Sequence, residues 1–166
     1  MLTLAGYEER ELVYAGSRTL VYRGVCTSDR QPVVVKVLRN ANPSFKELVQ
    51  FRNQYILARE LEHPHIVQPL SLERYGNSYA LIMPDSGAIA LSQYWRLSKF
   101  SRQEFLSLAI QIVDALHYLS RQRIIHKDIK PANIIIQPET HRIELIDFSI
   151  SSLLPKEQQQ LLGFTA

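Results

Sequence analysis

Two segments of the chain carry apolar residues at helical spacing directly after a capping sequence. Residues 44–47 and 101–104 each place a serine three positions before a glutamate, so that both side chains can bond free amides of a first helical turn. The pattern predicts one helix through Glu62, ended by His63-Pro64, and a longer helix from Ser101. The apolar positions are Leu48, Phe51, Tyr55, Ile56 and Leu61 in the first helix, and Phe105, Leu108, Ala109, Ile112, Val113, Leu116 and Leu119 in the second. We interpret the second stripe as core.

Runs of β-branched and aromatic residues predict strands over residues 11–25, 31–38, 66–72 and 78–83. The polar turn 27–30 separates the first two of these segments. Strands therefore dominate the first half of the chain, and the longest helical pattern lies in the second half.

Composition narrows the class of protein. The chain has 166 residues, of which 46% are hydrophobic and 21% are charged, as expected for one globular domain with a core. The net charge of +3 is spread along the chain and does not favour nucleic acid binding. No apolar run approaches the roughly 18 residues of a membrane span. One cysteine, Cys26, and the absence of a secretory signal pattern predict a cytoplasmic protein.

Candidate chemistry lies between isoleucine-rich runs near the end of the chain. Asp128, Lys130 and Asn133 stand at fixed offsets in a short polar segment, and Asp147 follows a further aliphatic run. Phosphoryl transfer requires these residue types: a carboxylate that orients the attacking hydroxyl, an ammonium that neutralises the moving phosphoryl, and oxygen ligands for Mg²⁺.

The order of these residues resembles the protein kinase family. His126, Asp128 and Asn133 match H-R-D-x-x-x-x-N, and Asp147-Phe148-Ser149 is similar to D-F-G. The resemblance implies an α+β, protein-kinase-like fold with a five-stranded antiparallel small lobe that carries one helix. Residues 1–87 would form this lobe and the hinge, and residues 88–166 the start of an incomplete, mostly helical large lobe.

The resemblance also implies catalytic and metal-binding roles. Asp128 would orient the substrate hydroxyl and accept its proton, and Lys130 would stabilise the transferred phosphoryl group. Asn133 and Asp147 would hold Mg²⁺. A lysine two residues after the aspartate, followed by Pro131, indicates the serine/threonine type, with proteins as substrates. His126 is interpreted as a structural hydrogen-bonding residue.

The same resemblance implies an ATP site. Gly16 is the glycine that remains of a glycine-rich loop, and Lys36 would reach the α- and β-phosphates. Residues 83–87 match the hinge, with Met83 as gatekeeper. The carbonyl of Pro84 and the amide of Ser86 would bond the adenine. The adenine ring would lie between Val21 and Ile135.

Five positions depart from the kinase pattern. Gln54 falls where kinases carry the glutamate that pairs with the strand lysine; a different alignment would assign this role to Glu47. Lys127 replaces an arginine and lacks its planar two-donor grip on a phosphate. Ser149 replaces the glycine of D-F-G and restricts the backbone there. Tyr14 and Thr19 occupy outer glycine positions, which predicts a stiffer loop and a weaker phosphate grip.

Nineteen residues follow Asp147, and the resemblance implies that several large-lobe helices lie beyond them. The expectation is an incomplete domain that binds Mg-ATP weakly and transfers phosphate poorly, with missing helices supplied by downstream signalling domains or a partner chain. A short helix over residues 157–162 is also predicted. Residues 51–55 and 150–155 are similar to the N-terminal kinase domain of large bacterial signalling proteins. The alternatives are an ATP-binding pseudokinase scaffold and an inactive remnant of a longer kinase.

Overall fold

The computed structural model describes residues 4–97 and 99–155; the helix predicted over residues 157–162 lies outside them. Five antiparallel strands form one sheet in the order β1-β2-β3-β5-β4, and helix α1 lies between β3 and β4. The elements are β1 Tyr7–Ala15, β2 Thr19–Cys26, β3 Pro32–Leu38, α1 Phe45–Ala58, β4 Ser71–Tyr75 and β5 Ser78–Pro84.

Two more helices and two small sheets follow this five-stranded sheet. The elements are β6 Ile89–Ala90, α2 Leu91–Leu97, α3 Arg102–Arg121, β7 Ile124–Ile125, a 3₁₀ turn Pro131–Asn133, β8 Ile134–Ile136, β9 Ile143–Leu145 and β10 Ser152–Leu153. Strands β6, β8 and β9 pair in one small sheet, and β7 pairs with β10 in the other. The predicted α+β class and five-stranded antiparallel sheet are confirmed.

The core has two parts. One part lies on the sheet and includes Val33, Val35 and Ile82, each 1% exposed. The other part joins α3 to the small sheets through Leu119, Ile136 and other buried residues. Leu61 and Ile66, which lie between α1 and β4, also pack in the second part of the core.

The predicted end of the first helix is wrong. Helix α1 stops at Ala58 rather than Glu62, although the capping box at Ser44 is present as predicted. Leu61 turns into the second part of the core, and the Gln68 side chain donates a hydrogen bond of 2.7 Å to the Arg59 carbonyl. The last predicted turn of the helix is therefore absent, because Leu61 packs in the core and Gln68 caps the Arg59 carbonyl instead.

Two strand predictions also need correction. The segment 11–25 is two strands, and β1 begins at Tyr7 because β2 extends to Cys26 opposite it. The segment 66–72 is mostly not a strand of the main sheet, since β4 begins at Ser71. Instead, the amide of Val67 donates to the carbonyl of Leu145, and the amide of Leu145 donates to the carbonyl of His65. The backbone of residues 65–67 thus pairs with β9.

Helix α3 begins after the predicted capping box at Ser101, but the predicted core stripe is only partly correct. Leu108 and Leu119 are buried, as is Ala115, which the stripe did not include. Phe105 and Val113 are exposed, by 49% and 64%. The reason is that α3 packs along one side, against β7 and β9, and these two residues lie outside that side. No helix within residues 4–97 and 99–155 is long and apolar enough to cross a membrane.

We predict that Leu119→Ala lowers the free energy of unfolding by about 2–5 kcal/mol, because it leaves a cavity at a side chain that is 2% exposed. Urea unfolding followed by circular dichroism measures this change. Ile110→Ala is the matched control on the same helix, since Ile110 is 69% exposed, and it should change the free energy by no more than about 0.5 kcal/mol. Equal losses in both variants would contradict this assignment of the core.

Candidate active site

A cleft of about 700 Å³ lies between the five-stranded sheet and the catalytic segment predicted from the sequence. We call it the central cleft. Its walls include ten of the predicted site residues, namely Val21, Lys36, Met83, Pro84, Ser86, Asp128, Lys130, Asn133, Ile135 and Asp147. Gly16 does not line it. The structure thus brings nearly all the predicted site residues together from widely separated parts of the chain.

Lys36 occupies the centre of the cleft and is 9% exposed. It lies opposite Val21 in the pairing of β2 with β3, as their spacing suggests. The Lys36 Nζ donates a 2.7 Å hydrogen bond to Gln54 Oε1 and forms an ion pair of 3.1 Å with Asp147 Oδ2. Gln54 is therefore a partner of the strand lysine, at the position that the sequence alignment gave it. The alternative through Glu47 is wrong, because that carboxylate bonds Ser44 in the capping box.

Asp147 adopts a left-handed backbone conformation with φ of 69°, which a non-glycine residue keeps only when its surroundings hold it there. Burial alone would raise the pKa of its carboxyl, but the Lys36 ammonium and hydrogen bonds from Ser149 outweigh burial and lower the pKa. The carboxylate is therefore ionised at neutral pH. Ser149 does not adopt a positive φ, so the structure tolerates a serine in this glycine position.

The Asn133 side chain organises the loop of residues 128–133. Its Nδ2 donates to the Asp128 carbonyl at 2.9 Å and to Asp128 Oδ2 at 2.7 Å. Lys130 Nζ contacts the same carboxylate oxygen at 2.7 Å, and the Lys130 hydrogen bond is the main cause of a lowered pKa of Asp128. Since both Nδ2 hydrogens of Asn133 are used within the loop, its Oδ1 remains as an acceptor.

His126 supports this loop from inside the protein and is 3% exposed. The Asp128 amide donates to its Nδ1 at 3.3 Å, so its Nε2 donates to the Ile146 carbonyl at 3.0 Å. Burial lowers the pKa of the imidazole, and the neutral ring packs against Phe148 with centroids 4.7 Å apart. This geometry confirms the predicted structural role.

The hinge is bonded by Arg23 of β2, a contact that the sequence interpretation missed. Arg23 Nε forms an ion pair of 3.0 Å with Asp85 Oδ2, and its Nη2 donates to the Ala88 carbonyl at 2.9 Å. Asp85 Oδ1 also accepts from the Gly87 amide at 2.9 Å. One signal was available: Arg23 lies two residues after Val21 on β2, and alternate residues of a strand share a face.

Gly16 differs from its predicted role. Its amide donates to the Thr19 carbonyl at 2.9 Å, so this amide is already bonded within the turn. A Cβ atom at position 16 would lie 2.6 Å from the Oη of Tyr14, whose ring packs over the glycine. The glycine therefore makes room for a tyrosine ring that itself lines the central cleft.

The donors in the cleft fit Mg²⁺ and a nucleotide. The Asp147 carboxylate and the Asn133 Oδ1 are hard oxygen ligands of the kind that Mg²⁺ prefers, and Mg²⁺ commonly takes its remaining ligands from phosphate and water. Within residues 4–97 and 99–155, no three or more His, Cys, Asp or Glu side chains are grouped so that they could hold a metal ion. Val21, Val34 and Ile135 supply apolar walls suited to a flat base.

The five-stranded sheet with its single helix, together with Lys36, the Asp128 loop and Asp147 around one cleft, defines a protein-kinase-like fold. The model of the protein kinase domain family matches residues 7–165, and the chain belongs to this family.

The relatives include the serine/threonine-protein kinase PLK4 of Drosophila grimshawi, 26% identical over 95% of this chain and 21% of the relative. The serine/threonine-protein kinase 36 of Pongo abelii is 29% identical over 87% and 11%. The human receptor tyrosine-protein kinase erbB-4 is 24% identical over 88% and 11%. The chain spans about a fifth or less of the length of these relatives. They do not support the more specific similarity to large bacterial signalling proteins.

We predict that Asp147 contributes pH-dependent stability. Because folding lowers the pKa of this carboxyl, its contribution is present above the ordinary value of 3.8 and is lost as the pH falls through the folded pKa. Asp147→Asn should therefore lower the free energy of unfolding by about 1–3 kcal/mol at neutral pH, and this loss should shrink below pH 3.8.

Urea unfolding of both proteins between pH 6 and pH 3 tests this. Asp29→Asn is the control, because its amide oxygen can keep the turn hydrogen bond to the Gln31 amide. It should match the wild type across the series. A loss in Asp147→Asn that stays constant with pH would show that the ion pair with Lys36 does not stabilise the fold.

Proposed function

We propose that the chain is a serine/threonine protein kinase domain that transfers the γ-phosphoryl group of ATP to protein hydroxyls. The observation that carries this proposal is that two ion pairs line one cleft. Lys36 and Asp147 are 3.1 Å apart, and Asp128 and Lys130 are 2.7 Å apart. In the proposed arrangement residues 1–87 form the small lobe and hinge, and residues 88–166 belong to the large lobe.

The nucleotide side of the proposed site lies against the sheet. Val21 and Ile135 would enclose the adenine, the Pro84 carbonyl would accept from its amino group, and the Ser86 amide would donate to the ring. Proline at 84 has no amide hydrogen but keeps the carbonyl that this contact needs. Lys36, already held by Gln54 and Asp147, would donate to the α- and β-phosphates.

The chemical side of the site lies in the catalytic loop. Asp128 is ionised, and its carboxylate would orient the substrate hydroxyl and accept its proton. Lys130 would neutralise charge on the transferred phosphoryl group. Asn133 Oδ1 and the Asp147 carboxylate would hold Mg²⁺, which supplies charge neutralisation at the phosphate oxygens when bound.

The serine/threonine type rests on Lys130-Pro131 after Asp128 and on the relatives named as serine/threonine-protein kinases. The Asn133 amide and the Lys130 ammonium both donate to the same oxygen of the Asp128 carboxylate, at 2.7 Å each.

One observation favours a second candidate, an ATP-binding module without phosphoryl transfer. The Gly16 amide is used within its turn and Tyr14 packs over this glycine, so the loop offers less backbone to phosphates than a glycine-rich loop does. A loop of this kind would support nucleotide binding more readily than the positioning of a γ-phosphate.

We predict that Mg-ATP raises the melting temperature of the wild-type chain and that Asp147→Ala abolishes the Mg-dependent part of this shift, because a ligand of the folded state stabilises it. Thermal unfolding with ATP, with and without Mg²⁺, measures both. Asp29→Ala, a change of the same type in an exposed turn, should keep the full shift.

Transfer from labelled ATP to a mixture of serine- and threonine-containing peptides separates the two candidates. Asp128→Asn should lower the rate by about 10²–10⁴-fold while Mg-ATP binding is kept. Binding without measurable transfer in the wild type would favour the second candidate. The absence of any Mg-dependent shift in the wild type would overturn both.

A further inference from the structure

Asn53 of α1 bonds the backbone of the segment that follows Asp147, a contact that the sequence did not indicate. Its Nδ2 lies 3.2 Å from the carbonyl oxygen of Phe148, 3.4 Å from that of Ser149 and 3.0 Å from that of Ser151. Two amide hydrogens are thus shared among three carbonyls of the segment that follows Asp147. The side chain reaches this segment from α1, across 95 or more positions of the sequence.

The three carbonyls converge because residues 148–151 form a tight turn. The Ser151 amide donates to the Phe148 carbonyl at 3.2 Å, and the Ser151 hydroxyl donates to the His126 carbonyl at 2.9 Å. Phe148 is 2% exposed and packs on His126. Three carbonyl dipoles directed at one point repel each other, and a two-hydrogen donor at that point offsets this repulsion.

The turn determines where Asp147 stands. Asp147 directly precedes it and has a φ of 69°, a conformation that its surroundings must hold. We propose that Asn53 is a positioning residue: its amide keeps residues 148–151 in this turn, and the turn keeps the Asp147 carboxylate beside Lys36, where it can hold Mg²⁺. This inference rests on the proposed function for its consequence in catalysis.

Asn53 and its neighbour Gln54 divide this task. Gln54 Oε1 accepts from Lys36 Nζ at 2.7 Å, and Lys36 pairs with Asp147. Asn53 holds the backbone on the other side of Asp147. Two uncharged side chains of one helix therefore fix both partners of the ion pair, at a position where the kinase pattern expects a glutamate.

Substitutions at position 53 can test the inference, because asparagine, aspartate and leucine are similar in shape but differ as hydrogen-bond partners. Asparagine presents hydrogens to the carbonyls, whereas aspartate of the same shape would present only acceptors. Leucine has nearly the same shape and presents neither. Asn53→Asp should thus release the turn more strongly than Asn53→Leu, and both should release it more than the wild type does.

Hydrogen exchange of the full chain without ligand tests the contact itself. Both variants should speed exchange in peptides that cover residues 147–153 by about tenfold or more, with peptides of β2 and β3 unchanged. Asn77→Asp is the matched control, because Asn77 is exposed in the turn between β4 and β5 and bonds Asn42. Unchanged exchange at 147–153, or an equal rise throughout the chain, would overturn the inference. If Asn53→Asp does not fold, the Asn53→Leu result decides.

Nucleotide binding tests the consequence for the metal. The Mg²⁺ concentration that half-saturates the tighter binding of ATP should rise about tenfold in Asn53→Asp, while ATP affinity without Mg²⁺ stays within about twofold of the wild type. A merely structural role would weaken both affinities together and would overturn the proposal. A wild type without Mg-dependent binding would defeat the proposed function instead, and the exchange experiment would still decide whether Asn53 holds the turn.

Discussion

The ion pair between Lys36 and Asp147 is the interaction on which the arrangement of the site depends. Lys36 belongs to the main sheet and Asp147 follows β9 in the second part of the core, so this contact of 3.1 Å joins the two parts. Burying either charge alone would cost several kcal/mol, and the two are tolerated because each neutralises the other. Gln54 adds a hydrogen bond to the ammonium without adding a third charge.

Backbone pairing sets the position of this ion pair. Residues 65–67, just after α1, pair with Leu145 of β9, and the Ile146 amide donates to the Asn133 carbonyl at 3.0 Å. Asp147 is the next residue. The same short stretch of backbone is thus fixed by the segment that follows α1 and by the loop of residues 128–133. The sheet, the helix and the loop consequently meet at one point, although more than a hundred residues separate Lys36 from Asp147.

The sequence predicts the parts of this structure that local patterns encode. Both capping boxes, the strand around Val35 and the neutral partner Gln54 lie where the sequence indicates. The failures are non-local. Residues 66–70 have the composition of a sheet strand, but β9 competes for part of their backbone. The bonds of Asn53 go to main-chain carbonyls, which every residue has, so the sequence could not indicate this contact. The number of glycines in the loop likewise does not show that Gly16 makes room for the ring of Tyr14.

Arg23 attaches the hinge to the main sheet. Its guanidinium bonds Asp85 and the Ala88 carbonyl, so the side chain attaches residues 84–88 to strand β2 of the main sheet. A change in the backbone between Asp85 and Ala88 would have to break the ion pair with Asp85 or the hydrogen bond to the Ala88 carbonyl. Pro84 and Ser86, which are proposed to contact adenine, are thus connected to the main sheet by the Arg23 side chain as well as by their own backbone.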